Sequence, residues 1–250
     1  MDLGLKGRVA LVTGGSKGIG RSIAMGLAQE GVDVAICARG KEELERATRE
    51  ITASTGRRCL PVSADLSQEE ECQRFVNEAV RAFGRADILV CSANVPGGGT
   101  FFTLPDKEWV NHMNLKFFSV VRAARAVIPH MQQRKWGRII IVSGMSTRLV
   151  RLFAVDNGPV CAAMTNFGKQ LAMQVISDGI RVNTIHPDAT RTPRRLARLE
   201  RESQVRGLPL EELEKEQVGG LPLGRLIEPE EIAHLAVFLC SDKADAITGQ

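Results

Sequence analysis

Val9-Ala10-Leu11-Val12-Thr13-Gly14-Gly15-Ser16-Lys17-Gly18-Ile19-Gly20 is the stretch that decides the fold. A short apolar run with the look of a buried strand breaks into a glycine cluster, and a stretch of helical period, Arg21 to Glu30, follows at once. Strand, glycine turn and helix in that order set free backbone N–H groups and the positive end of a helix dipole beside an anion. A pyrophosphate fits there. Glycine also serves plain turns and close packing, so the strand before and the helix after carry this reading.

Outward from this turn, short apolar runs alternate with amphipathic stretches. Val9 to Thr13, Val32 to Ala38, Cys59 to Ala64, Ile88 to Ser92, Ile139 to Ser143 and Ile180 to Ile185 read as strands, with helices such as Lys41 to Thr52 and Gln68 to Phe83 between them. The alternation predicts an α/β fold, a doubly wound parallel sheet. With 250 residues, 44% of them apolar, residues 1–250 suffice for one large core and form a single domain. Pro96-Gly97-Gly98-Gly99 reads as a flexible loop after the fourth strand.

Composition excludes several classes. There is no apolar stretch of eighteen residues, and Met1 to Lys6 lacks a basic segment leading into an apolar one, so the expectation is a soluble, cytoplasmic protein. The six cysteines, 37, 59, 72, 91, 161 and 240, show neither metal-ligand spacing nor a disulfide framework. A net charge of +4 without interleaved aromatics argues against nucleic acid.

The glycine turn matches Thr-Gly-x-x-x-Gly-Ile-Gly at every fixed position, and over essentially its whole length the chain resembles the short-chain dehydrogenase/reductase family. The resemblance implies that Gly14, Ser16, Lys17, Gly18, Ile19 and Gly20 hold a dinucleotide's phosphates. It assigns Asp65, with Leu66 beside it, to the adenine, and Thr192 to the nicotinamide carboxamide. Asp87-Ile88-Leu89-Val90 matches the fourth strand, Asn114-Leu115 the Asn motif of a long helix, and Ile180-Arg181-Val182-Asn183 with Pro187 the sixth strand and its exit. Ala93-Asn94 and Pro187-Asp188 line the same pocket, each with a family Gly replaced by a residue that tolerates positive φ. After the second strand Ala38 stands at the usual acidic position, Arg39 follows, and Lys17 lies in the turn. Two cations thus converge with no carboxylate against them, which favours NADP(H) over NAD(H).

The catalytic positions depart from the family. Its Ser falls on Gly144, its Tyr thirteen residues on at Asn157, and its Lys one helical turn further at Cys161; the chain contains no tyrosine. Only Asn114 is retained, and its family role is to kink a helix and hold a water leading to the Lys. A positioned general acid is worth about 10²- to 10⁴-fold in rate, and neither an amide nor a thiol replaces it. Substitute donors are Ser143, Ser146, Asp156 and His186. Asp156 reads equally as a turn or helix-cap residue, His186 as a packed strand-end side chain, and Cys161 as a small buried hydrophobe.

From Arg191 to Arg206 there are six Arg and two Glu, and the resemblance makes 191–216 a substrate lid. Arg194, Arg198 and Arg201 share a helix face, and Arg148 and Arg151 follow the fifth strand on the same rim. Such cations attract an anionic substrate, or else form a solvated surface balanced by Glu211, Glu212 and Glu214. At Ala246 to Gln250 the family begins a seventh strand, so the sheet is expected to stop at or near its last strand. Helices over roughly Leu104 to Met131 and Val160 to Ser177 are expected to build a homodimer or homotetramer. Three functions follow: an NADP(H)-dependent carbonyl reductase or alcohol dehydrogenase with a non-standard site; a pseudoenzyme that binds dinucleotide as sensor, scaffold or partner subunit; or a non-redox lyase or isomerase in the same cleft.

Overall fold

A computed structural model describes residues 2–95, 98–150 and 153–250. Six parallel strands, β1 (Val9–Thr13), β2 (Asp33–Ala38), β3 (Cys59–Ser63), β4 (Ile88–Cys91), β5 (Gly137–Val142) and β6 (Ile180–Ile185), lie in the order β3-β2-β1-β4-β5-β6. This is the expected doubly wound sheet, and the chain direction of the crossovers reverses between β1 and β4. A cleft opens there beyond the carboxyl ends of the strands. The central strands are buried on both faces, which explains their unbroken apolar runs.

Helices cover both faces. On one, α1 (Gly18–Gln29), α2 (Lys41–Thr55) and α9 (Pro229–Cys240) pack through Ile23, Leu27, Leu44, Ile51 and Val237. On the other, α3 (Glu69–Phe83), α5 (Ser119–Arg134) and α6 (Asn157–Val175) contribute Phe75, Val127, Met164 and Leu171. Leu44, Ala47 and Ile51, like Cys72, Phe75, Val76 and Ala79, recur at helical spacing, which is why α2 and α3 each bury one stripe. Asp87, fully buried at the foot of β4, accepts from the Val9 backbone N–H at 2.8 Å and from Arg85, tying β4 to β1.

Two expectations are corrected. The helix read as Leu104 to Met131 is broken: α4 (Asp106–His112) passes into a π-helical turn, Met113–Phe118, before α5. The Ser119 N–H there reaches five residues back to the Asn114 carbonyl. Asp156 precedes α6 but its side chain does not cap it. The last residues run beside β6, with Gly249 N–H donating to Val182 and Thr184 N–H to Gln250. No helix among the described residues is long and apolar enough to cross a membrane.

Candidate active site and cofactor groove

A groove of about 570 Å³ runs along the carboxyl edge of the sheet, within the range of small-molecule and cofactor sites. One end is main chain. Gly14 has φ +65°, and a Cβ on it would stand 2.8 Å from the Ser92 carbonyl oxygen; a Cβ on Gly20 would fall on the Gly14 carbonyl. The turn is therefore pressed flat against the β4 exit, where Thr13 Oγ1 accepts from the N–H groups of Ser92 and Ala93 at 3.0 and 3.2 Å. Lys17, extended, precedes α1 without a side-chain cap. A cradle that any side chain would fill, at the start of a twelve-residue helix, fits a pyrophosphate.

Of the residues expected at the cofactor, Gly14, Ser16, Lys17, Gly18, Ile19, Gly20, Arg39, Leu66, Ala93, Asn94, Pro187 and Thr192 line the groove. Asp65 does not; its carboxylate accepts from Ser67 N–H at 3.1 Å and shapes the turn that presents Ala64 and Leu66. The expectation that no carboxylate opposes the two cations is also wrong. Glu43, from the first turn of α2, meets Lys17 Nζ at 2.8 Å and lines the groove. Sequence reasoning looked only at the strand end, and Glu43 arrives from the next helix. Thr192 accepts from Arg195 N–H and so starts α7 (Pro193–Arg206) directly above Gly18.

At the other end the groove is made of side chains. Ser143, Gly144, Ser146 and Asn157 line it, while Cys161 and Asp156 lie buried behind them. Ser143 is not available as a donor to substrate, because its hydroxyl donates to the Cys161 carbonyl at 3.2 Å. His186 turns its Nδ1 toward the Gly144 carbonyl at 3.3 Å, away from the groove lining. Asp156 instead meets His112 Nδ1 at 2.6 Å, both side chains 2% exposed. Burial alone would raise the Asp156 carboxyl, but the His112 hydrogen bond and charge outweigh it and hold it below its ordinary value.

The residue that sequence reasoning missed is Lys116. The space behind Asn157 and Cys161 was expected to hold no cation. Yet Lys116, on the π-helical turn and 1% exposed, sends its Nζ to Asn157 Oδ1 at 2.9 Å and to Cys161 Sγ at 3.1 Å. Burial holds its ammonium below the ordinary lysine range. A signal was present in the chain, since Lys116 sits inside the apolar run Met113 to Val121, where a lysine needs a partner.

The basic segment from Arg191 divides by partner. Arg191 pairs with Glu228, Arg195 with Glu214, and Arg206 with Glu202 and Glu216. Of the expected Glu211, Glu212 and Glu214, Glu214 pairs with Arg195, while Glu202, Glu216 and Glu228 were not among them. Arg194 and Arg198 line the groove, and Arg194 stands near enough to Asp156 to feel its charge. After α7 the chain forms α8 (Leu210–Gly219). Arg151 and the Pro96-Gly97 part of the glycine loop lie outside the described residues.

The profile of a family described as enoyl-(acyl carrier protein) reductase matches residues 14–250. This chain belongs to the short-chain dehydrogenase/reductase family. That family is one of NAD(P)-dependent oxidoreductases. Among its relatives, oxidoreductase UcpA of Salmonella typhimurium is 34% identical, covering 98% of this chain and 92% of that protein. D-beta-hydroxybutyrate dehydrogenase of Cupriavidus necator is 32% identical over 98% and 95%. A crystal structure of L-sorbose reductase from Gluconobacter frateurii, complexed with NADPH and L-sorbose, superposes with a TM-score of 0.93 at 33% identity, over 100% of this chain and 95% of that one.

Proposed function

We propose that this chain is an NADP(H)-dependent carbonyl reductase or alcohol dehydrogenase of the family, with a non-standard active site and a small anionic substrate. The observation that carries the reading is the continuity of the groove from the Gly14–Gly20 cradle to Asn157 and Arg194. Bound there, the nicotinamide cofactor would supply the hydride. Gly14 to Gly20 would take its pyrophosphate, Ala93, Asn94 and Thr192 would border its length, and Arg39 with Lys17 would face a 2′-phosphate. Glu43 tempers this choice, but its pair with Lys17 is half exposed and weak enough for a phosphate to displace. Arg194 and Arg198 would draw an anionic substrate group to the far end.

NADPH fluorescence tests binding, and a carbonyl panel with 4-deuterated NADPH tests transfer of label to the product alcohol. Binding with transfer supports the reductase. Binding without transfer supports the pseudoenzyme instead, a reading favoured by one observation, the commitment of the Ser143 hydroxyl to α6. Absence of binding would leave the non-redox alternative. We also propose self-association through α4–α5 and α6, whose outward Val110, Phe118 and Met173 are exposed, a homodimer or homotetramer that sedimentation would detect.

A further inference from the structure

A lysine buried without a carboxylate at its Nζ is a costly arrangement, because an ammonium leaving water recovers its hydration only from close charge or good acceptors. The Lys116 contacts are an amide oxygen and a thiol. The fold tolerates this cost at the floor of the groove. What the lysine does there follows from donor and acceptor accounting.

An ammonium has three donors and no acceptor, so the Asn157 atom facing it is the oxygen. That fixes the amide, and its Nδ2 then donates to Ser146 Oγ at 2.7 Å. Ser146 Oγ is therefore occupied as an acceptor from behind. No acceptor among the described residues claims its own proton, and both Ser146 and Asn157 line the groove. The chain Lys116, Asn157, Ser146 is polar in one direction only, with positive charge at its buried end and a hydroxyl donor at its open end. Successive hydrogen bonds of this kind strengthen one another in a low-dielectric setting. Arg194, which also lines the groove, adds a second positive charge.

We propose that Ser146 is the residue that binds the reacting oxygen of the substrate, and that Lys116, acting through Asn157, is the positioning residue that orients and strengthens it. This inference rests on the reductase reading above. As hydride reaches the carbonyl carbon, the C=O π pair moves onto oxygen, Ser146 holds the resulting alkoxide, and a water at the open groove gives it the proton that remains, leaving hydroxide to the solvent. The charge of Lys116 substitutes electrostatically for a cation one turn further along α6, and does so from a different helix.

The test uses the whole chain and the variants K116M, S146A and the double K116M/S146A. On the carbonyl turned over fastest, each single variant lowers kcat about 100-fold, the scale for loss of one oxyanion donor, with NADPH affinity within about twofold, an effect this small being expected of residues outside the cofactor cradle. The double falls no further than the worse single, as expected of groups that act as one unit. K116M keeps or raises Tm, since methionine fills the same space without the buried charge; a merely packing lysine would lower it. Independent losses that multiply in the double, or unchanged kcat in either single, overturn the proposal. A second readout separates it from the reductase reading: 2,2,2-trifluoroethanol, an alcohol probe of the oxygen site, is followed by ¹⁹F NMR with NADP⁺ present and absent. Wild type holds it about tenfold more tightly than each variant, the worth of roughly one hydrogen bond. Equal affinity in all four proteins, or no binding to wild type, overturns the proposal even where NADPH binds, whereas failure of NADPH alone overturns only the reductase reading.

Discussion

Between Gly14 and Gly20 the groove wall is main chain held close by absent side chains, whereas around Asn157 it is side chains brought from the π-helical turn, the β5 exit, α6 and α7. The first end tolerates almost no change in shape, because what would collide with a Cβ added at Gly14 or Gly20 is backbone. The second end tolerates exchange, because a charge can be delivered to one point in space from any helix that passes it. Asn157 and Cys161 stand at the end where substitution from a neighbour is physically open. A π turn, which widens a helix locally and is frequent at functional sites, brings Lys116 to that point.

The comparison breaks most readily at its rigid end. Gly20→Val is expected to reduce NADPH affinity by on the order of 100-fold or more, since the turn must part from the β4 exit to admit the side chain; a fluorescence titration that matches wild type would show that the cradle is not the binding point. At the adaptable end, N157Y is expected to raise kcat by about 10²-fold, because a phenol there would find the Lys116 ammonium already beside it. Adding C161K to it should lower kcat again, as two ammoniums would share one buried site. A double variant faster than N157Y would show that Lys116 is too misplaced to serve.

A pH measurement separates the two ends next. Lys116 has its folded pKa below the ordinary 10.5, so the folded state resists carrying that proton. Between the folded pKa and 10.5 the unfolded chain binds more protons, and stability rises with pH across that window. Urea unfolding of K116M should lack this rise. Asp156 gives the mirror case: its pKa is held below 3.8, so its contribution is full above 3.8 and is lost as pH falls through the folded value, and D156N should flatten that acid limb. The smallest effect concerns cofactor choice. R39A should weaken NADPH about tenfold relative to NADH, and E43Q should tighten NADPH about twofold by releasing Lys17, both read by competitive fluorescence titration.

The glycine-turn end of the groove was legible in the chain because its determinants are local. Val9 to Gly20 contains the strand, the turn and the helix start, and each constrains backbone within a few residues of itself. The basic segment 191–206 was legible in charge and in the part Glu214 plays, but Arg206 finds Glu216 only once α7 and α8 fold together. Glu43 escaped for the same reason, being remote from the turn it reaches.

By itself the sequence determined the doubly wound sheet, the tight glycine turn after β1 and the placing of Gly144, Asn157 and Cys161 along the β5 exit and α6, because periodicity and backbone sterics act over short spans of chain. Only the tertiary structure decided what meets Asn157 and Cys161. Lys116 and Cys161 are 45 residues apart and meet only where two helices cross, so no spacing rule along the chain connects them. A charge acts through distance in space, and that distance is set by packing.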